Sequence, residues 1–261
     1  MDIVAYIVAG AVVGFAVGMT GVGGGSLMTP ILLLFGFPPH MAVGTDLLYA
    51  SITKSGGVLV HRRQGTVRWK IVFLLASGSI PASLITVVVL NHFFQNSEAY
   101  GRLLTSTLGV MLILTSVVLL FRKKIIAKSS QDHPVGFLGH LQRQSGRYTF
   151  MLGVSLGIMV TLSSVGAGAF GAAILLLLYP RLPAINVVGT DLAHAVPLTL
   201  VAGIGHLFLG NVDFYLLGSL LIGSLPAIYL GTKLATRLPE KFLQPLLAST
   251  LLCMGLKYAF F

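Results

Sequence analysis

The chain has 261 residues, of which 55% are hydrophobic and only 9% are charged. A soluble domain usually has about one quarter of its residues charged, so this composition excludes an ordinary soluble protein. The net charge of +10 does not indicate a nucleic-acid partner, because most of the basic residues lie in short segments between apolar runs, as in membrane proteins. The composition therefore predicts an all-α polytopic membrane protein embedded in a lipid bilayer.

Two similar series of apolar runs follow one another along the chain. The first series is Ile3–Met19, Leu27–Phe37, Ala42–Val60, Ile71–Leu90 and Leu103–Phe121. The second series is Tyr148–Leu162, Phe170–Tyr179, Val187–Gly205, Phe214–Thr232 and Phe242–Phe261. We predict an N-terminal membrane repeat (1–121), a cytoplasmic linker (122–147) and a C-terminal membrane repeat (148–261). The second run of each series is long enough for only about half a hydrocarbon core, which predicts a half-helix.

The two halves also agree residue by residue. Val43–Leu47 (Val-Gly-Thr-Asp-Leu) matches Val188–Leu192, and Gly78–Ala82 matches Gly223–Ala227 at the same offset. Agreement of several motifs in the same order indicates an internal repeat.

The distribution of Lys and Arg predicts opposite orientations for the two repeats. The segment His61–Lys70 is rich in Arg and Lys, whereas its match in the second half, His206–Asp213, has neither. Basic segments stay on the cytoplasmic side, so the second repeat is predicted to be inverted. Each half would then contain a broken or re-entrant helical hairpin plus three transmembrane helices, with both termini in the periplasm.

Glycine-rich breaks precede both predicted half-helices. Matching breaks in inverted halves are typical of a transporter's binding site, and helix N-termini favour anions. The alternative is that these glycines only allow close helix packing. The candidate substrate-binding residues in the breaks are Gly23, Gly24, Gly25, Ser26, Ser164, Gly166 and Gly168.

Three further candidates are polar residues inside apolar runs. Lys54 is an intramembrane ammonium, which is costly and therefore a candidate for substrate binding; alternatively it snorkels or pairs with Asp46 or Asp191. Tyr49 and His194 occupy matching positions and could donate hydrogen bonds to an oxyanion, or could link helices to each other.

The repeated Thr-Asp pairs allow two interpretations. Thr45 with Asp46, and Thr190 with Asp191, could cap helix N-termini, for which these residue types are favoured. Alternatively they are protonatable or hydrogen-bonding groups near the substrate path.

With the glycine-rich breaks, the repeated Val-Gly-Thr-Asp and the paired Gly-Ser-Ile/Leu-Pro-Ala motifs, the chain resembles the TauE/SafE sulfite exporter family over nearly its whole length. The resemblance implies a carrier of the bacterial inner membrane for sulfur-containing anions such as sulfite, thiosulfate or organosulfonates. We expect no cofactor and no metal, and an exposed glycine-rich face would suit a homodimer.

The chain lacks an ATP-binding motif, which favours a secondary transporter, with proton coupling through Asp46, Asp191 or His194 as one hypothesis. A channel-like facilitator for small anions is the alternative. An intramembrane enzyme is disfavoured, because neither Gly-x-Ser-x-Gly nor His-Glu-x-x-His occurs in the sequence.

Overall fold

The computed structural model describes residues 3–20, 25–93, 98–129, 137–234 and 240–260, and these ranges contain helices and no strand. The helices are α1 (Ile3–Thr20), α2 (Gly25–Leu34), α3 (Pro39–Arg63), α4 (Trp69–Phe93), α5 (Glu98–Ser129), α6 (Phe137–Arg143), α7 (Ser145–Ser163), α8 (Ala169–Leu178), α9 (Ala184–Phe208), α10 (Phe214–Leu234) and α11 (Glu240–Phe260). The predicted all-α class is confirmed.

Each predicted apolar run lies within or closely overlaps one helix, and α6 lies in the predicted linker. The half-helices are confirmed in length, since α2 and α8 have 10 residues each. Helix α5 continues to Ser129, beyond the apolar run that ends at Phe121. The added residues are not all apolar, but they include Arg, Lys and Ala, which are strong helix formers.

Four helical segments of the described chain are long and apolar enough to cross a membrane, two in each half: Trp69–His92, Ala99–Phe121, Ala184–Phe208 and Phe214–Gly231. Helix α3 has the same length as α9, 25 residues, but it is not among these segments and carries Asp46 and Lys54 in its interior. The protein is therefore a multi-pass membrane protein. The polar side chains of Asp46 and Lys54 on α3 are buried in its interior.

Helices of the first half pack mainly on helices of the second half. Helix α1 packs on α10, α4 on α7, α3 on α9, and α5 on α11. The largest cluster of buried apolar residues likewise joins both halves, and it includes Leu47, Leu75, Leu156 and Leu198. The two predicted halves thus build one interior, with α3 and α9 in contact.

Three of these helix pairs touch through their main chains. A methyl group at Gly10 of α1 would overlap the carbonyl of Leu220, and one at Gly223 of α10 would overlap the carbonyl of Ile7. Helices α4 and α7 meet in the same way at Gly153, and α5 and α11 at Gly109. Small residues allow such close approach between membrane helices. We refer to α1–α10, α4–α7 and α5–α11 below as the glycine-packed pairs.

Candidate functional site

Helices α3 and α9 bring seven of the predicted site residues into the protein interior, among them Thr45 and Thr190. Asp46, Tyr49, Lys54, Asp191 and His194 each have at most 4% of their surface exposed. Charged groups are almost never buried to this degree unless they are paired. The neighbours of each side chain therefore decide what this region can bind.

Lys54 connects the two helices to the break between α7 and α8. Its Nζ donates a hydrogen bond to the carbonyl oxygen of Ala167 at 3.0 Å, and the ammonium interacts electrostatically with both Asp191 and Asp46. The snorkelling alternative is wrong, because the side chain is only 4% exposed. We call Asp46, Lys54 and Asp191 the buried charged group.

Asp46 fixes α3 against the half-helix α2. Its Oδ2 accepts one hydrogen bond from the N–H of Thr29 at 3.1 Å and a second from the Thr29 hydroxyl at 2.5 Å. Ser164, in the break before α8, also faces this carboxylate. Thr29 was not predicted as a site residue, although a polar residue in an otherwise apolar half-helix could have indicated it.

Asp191 lies against the beginning of the half-helix α8. The N–H of Gly168 donates toward its carboxylate, and a methyl group at Gly171 would overlap its Oδ1. Gly166 and Gly168 have φ angles of 126° and 139°, a region that side chains strongly disfavour. These two glycines therefore allow the backbone conformation that places the start of α8 against Asp191.

Most of the unpaired buried polar atoms belong to predicted site residues. Five of the seven buried side-chain atoms without a hydrogen-bond partner in the described chain are Asp46 Oδ1, Tyr49 Oη, Ser164 Oγ, Asp191 Oδ1 and His194 Nδ1, and the others are in Thr115 and Ser224. Buried polar groups are normally paired, so such a concentration needs an explanation. A polar ligand that binds among these side chains would provide one.

Ser79 and Ser224 also belong to this region, and we did not predict them. Ser79 Oγ is 2.8 Å from Nε2 of His194, and Ser224 interacts with Tyr49 across α10 and α3. Both serines are in the paired Gly-Ser-Ile/Leu-Pro-Ala motifs, and their partners occupy matching positions. The matched offsets of the motifs were the available signal.

The interpretation of the Thr-Asp pairs as helix caps is wrong. Helix α3 begins at Pro39 after Pro38, and α9 begins at Ala184 after Pro183, with no side-chain cap at either start. Thr45 and Thr190 lie inside these helices. A Pro at or next to the first helical position fixes a favourable φ, which explains the earlier starts.

Thr45 and Thr190 instead hold connecting segments of the other half. Thr45 Oγ1 accepts a hydrogen bond from the N–H of Asp213 at 3.1 Å. Thr190 Oγ1 accepts one from the N–H of Arg68 at 2.9 Å. Arg68 and Asp213 are themselves matching positions. Each Thr thus ties its helix to the segment that precedes α4 or α10.

Thr190→Val should loosen the segment before α4. Valine keeps the shape of threonine but leaves the Arg68 N–H without its acceptor, which costs about 1 kcal/mol. Hydrogen exchange of the Arg68 amide should therefore become about 5-fold faster by mass spectrometry.

Thr199→Val is the matched control for this measurement, because the Thr199 hydroxyl donates to Ala195 and Val196 carbonyls of its own helix. Equal exchange of Arg68 in Thr190→Val and Thr199→Val would contradict the assigned role of Thr190.

Two predicted residues, Gly23 and Gly24, lie outside the described residues. Gly25 is the first residue of α2, and Ser26 follows it in the helix. The prediction that these four residues bind substrate stays a prediction.

A small crevice opens beside Asp191. Its volume is about 30 Å³ and it is lined by α5, α8 and α9, with Gly168 and Ala169 at the start of α8 and with Val118 and Leu119 on α5. Asp191 is the charged residue of its lining. No group of three His, Cys, Asp or Glu side chains suited to a metal ion was found among the described residues.

Known proteins with similar sequences are described as probable membrane transporters. The family model described as "Sulfite exporter TauE/SafE" matches residues 6–258. The Bacillus subtilis (strain 168) "Probable membrane transporter protein YjnA" is 37% identical over 97% of this chain and 98% of its own length. "Probable membrane transporter protein YdhB" of the same organism is 29% identical over 78% of each chain. No solved structure matches this chain. The chain belongs to the TauE/SafE sulfite exporter family of membrane transporters.

Proposed function

We propose that this protein is a secondary carrier that exports a small sulfur-containing anion, such as sulfite, thiosulfate or an organosulfonate, across the bacterial inner membrane. The observation that carries the proposal is the buried charged group at the break before α8, surrounded by polar atoms without partners. The family's description as a sulfite exporter supports the substrate class.

The side chains around this group are suited to an oxyanion. The Lys54 ammonium has three N–H donors, of which one is used by the Ala167 carbonyl. The hydroxyls of Tyr49 and Ser164 are also without partners and can donate. An oxyanion with several acceptor oxygens could accept from all three, and hydrogen bonds to a charged group are stronger than neutral ones.

Crossed contacts between the halves support an inverted-repeat carrier. Thr45 binds the segment before α10, and Thr190 binds the segment before α4, through matching atoms. The segment before α4 is basic and that before α10 is not, so we place them on the cytoplasmic and periplasmic sides. Alternating access requires contacts that can close a central site on each side of the membrane, and these two hydrogen bonds are suited to that role. The periplasmic termini and the homodimer stay predictions.

The test is a substrate panel on reconstituted protein. Solid-supported-membrane currents would be recorded from proteoliposomes, and from protein-free liposomes as control, on jumps of sulfite, thiosulfate, sulfoacetate, taurine, sulfate and chloride. We expect saturable currents with one or two of the sulfur-containing anions and none with chloride. Currents that rise without saturation and include chloride would indicate a channel-like facilitator instead. Silence with the whole panel, from folded and inserted protein, would contradict the substrate class.

A further inference from the structure

The start of α8 is the place where the fold favours an anion most clearly. Helix α8 has 10 residues, and its first described main-chain hydrogen bonds are donated by Gly171 to Gly166 and by Ala172 to Gly168. The first N–H groups of a helix have no acceptor within the helix, and the helix dipole adds partial positive charge at this end. An anion is stabilised at such a position.

In this structure the protein's own carboxylate occupies that position. The Gly168 N–H donates toward Asp191, and Gly171 lies against Asp191 Oδ1. That oxygen has no hydrogen-bond partner in the described chain, although the residue is only 1% exposed. The crevice of α5, α8 and α9 reaches the same carboxylate. Asp191 therefore fills the place where an incoming anion would gain the same donors.

Asp46, at the matching position, is held differently. Two hydrogen bonds from Thr29 fix its Oδ2, so that moving Asp46 would leave two buried donors of α2 unpaired. Asp191 would leave behind only the donor at Gly168, which an arriving anion could satisfy. Of the two carboxylates, Asp191 is the one that can be exchanged.

The charges of the buried group limit what can bind. With Asp46 and Asp191 ionised and Lys54 protonated, the group carries one net negative charge. A substrate anion would add negative charge to a group that is already negative. This is strongly unfavourable in a buried region that water does not reach. A proton on Asp191 leaves Lys54 and Asp46 as a neutral pair and removes the repulsion.

We propose that Asp191 is an internal anion that the transported anion displaces from the start of α8, and that Asp191 takes up one proton in the exchange. This inference rests on the proposed function. The proton comes from water and converts the carboxylate to a carboxylic acid, while the anion accepts hydrogen bonds from the Gly168 N–H and the Lys54 ammonium. No other bond forms or breaks.

The groups that face Asp191 are few. Lys54 comes from α3 and interacts electrostatically with Asp191. Asp46 interacts electrostatically with the same ammonium. His194 lies about one turn further along α9 and interacts with Lys54. Helix α5 contributes apolar residues to the crevice. His194 is thus the competing site for the proton, and the test must separate it from Asp191.

The measurable consequence is a link between anion affinity and pH. If binding takes up one proton, the apparent Kd for the anion rises by up to about tenfold for each unit of increasing pH, wherever Asp191 is ionised in the empty protein. Thiosulfate is a suitable probe because it keeps its charge over about pH 6 to 8, so that the slope reports on the protein.

The experiment measures [35S]thiosulfate binding to purified full-length protein by scintillation proximity at several pH values. Proton uptake on thiosulfate addition is followed in parallel with a pH dye in weak buffer. Wild type, Asp191→Asn, Asp46→Asn and His194→Asn are compared after gel filtration shows that each is folded. We expect the affinity of wild type for thiosulfate to fall with increasing pH, and binding to take up about one proton. Asp191→Asn should lose both the pH dependence and the proton uptake.

The variants decide which group carries the proton. Asp46→Asn and His194→Asn should shift the affinity for thiosulfate but keep the pH slope. A slope that survives in Asp191→Asn, or that disappears in His194→Asn, would overturn the proposal. Wild-type affinity that does not change with pH would overturn it too, while leaving the proposed function intact. Absence of any thiosulfate or sulfoacetate binding by wild type would instead contradict the proposed function, and the inference with it.

Discussion

Replacing Lys54 with methionine is expected to abolish saturable transport of the sulfur-containing anion. The ammonium interacts with both Asp191 and Asp46 and donates to the Ala167 carbonyl, so the variant loses the cation of the site and leaves two carboxylates without a counter-charge. Loss of one partner of a buried charged pair costs about 3–5 kcal/mol. We expect kcat/KM, measured by solid-supported-membrane currents, to fall at least about 100-fold.

Lys257→Met is the matched control for this prediction. Lys257 is exposed near the end of α11 and lies over the ring of Tyr258, so its loss should leave the currents unchanged. The double variant Lys54→Met with Asp191→Asn removes one carboxylate together with the cation, and should recover thermal stability but not transport. Saturable currents of normal size in Lys54→Met would show that the buried charged group is not the anion site.

The second large effect is expected at the closest helix contact. Gly223→Ala places a methyl group against the main chain of Ile7 and Ala11, where no side chain can move aside. Overpacking of this kind costs about 1–3 kcal/mol or more. We expect Tm in detergent, followed by thermal-stability gel filtration, to fall by about 5–10 °C.

Gly218→Ala tests the same change on the same helix without the contact. A methyl group at Gly218 meets no atom within 4 Å, and alanine is the better helix former. Its Tm should stay level or rise slightly. If both variants lose stability equally, the close approach of α1 and α10 does not explain the role of Gly223.

The sequence predicts the helices well because their main determinant is local. Apolar runs bounded by Gly, Pro and charged residues gave all ten long or half-length helices, including the two ten-residue half-helices. The predicted end of α5 was too early, because the residues after the apolar run have high helix propensity and extend the helix to Ser129. The starts of α3 and α9 were predicted too late, because Pro39 and Pro183 were not weighed as helix-start residues.

The partners of the site residues could not be predicted in this way. Lys54 was recognised because a charge inside an apolar run is unusual, and Asp46 and Asp191 because the Val-Gly-Thr-Asp motif is repeated. That Lys54 donates to Ala167, more than a hundred residues away, depends on how α3 packs against the α7–α8 break. The same holds for Thr45 and Thr190, whose bonds reach segments of the opposite half. Tertiary packing decided these contacts, and no local pattern encodes it.

The glycine-packed pairs determine which parts of the transporter can move as rigid bodies. Helices in main-chain contact cannot slide past one another without separating, so α1 with α10, α4 with α7, and α5 with α11 should each move as one rigid body during transport. Each body combines one helix from each half of the chain. A hinge of the transport cycle is therefore expected at the connection between α7 and the half-helix α8.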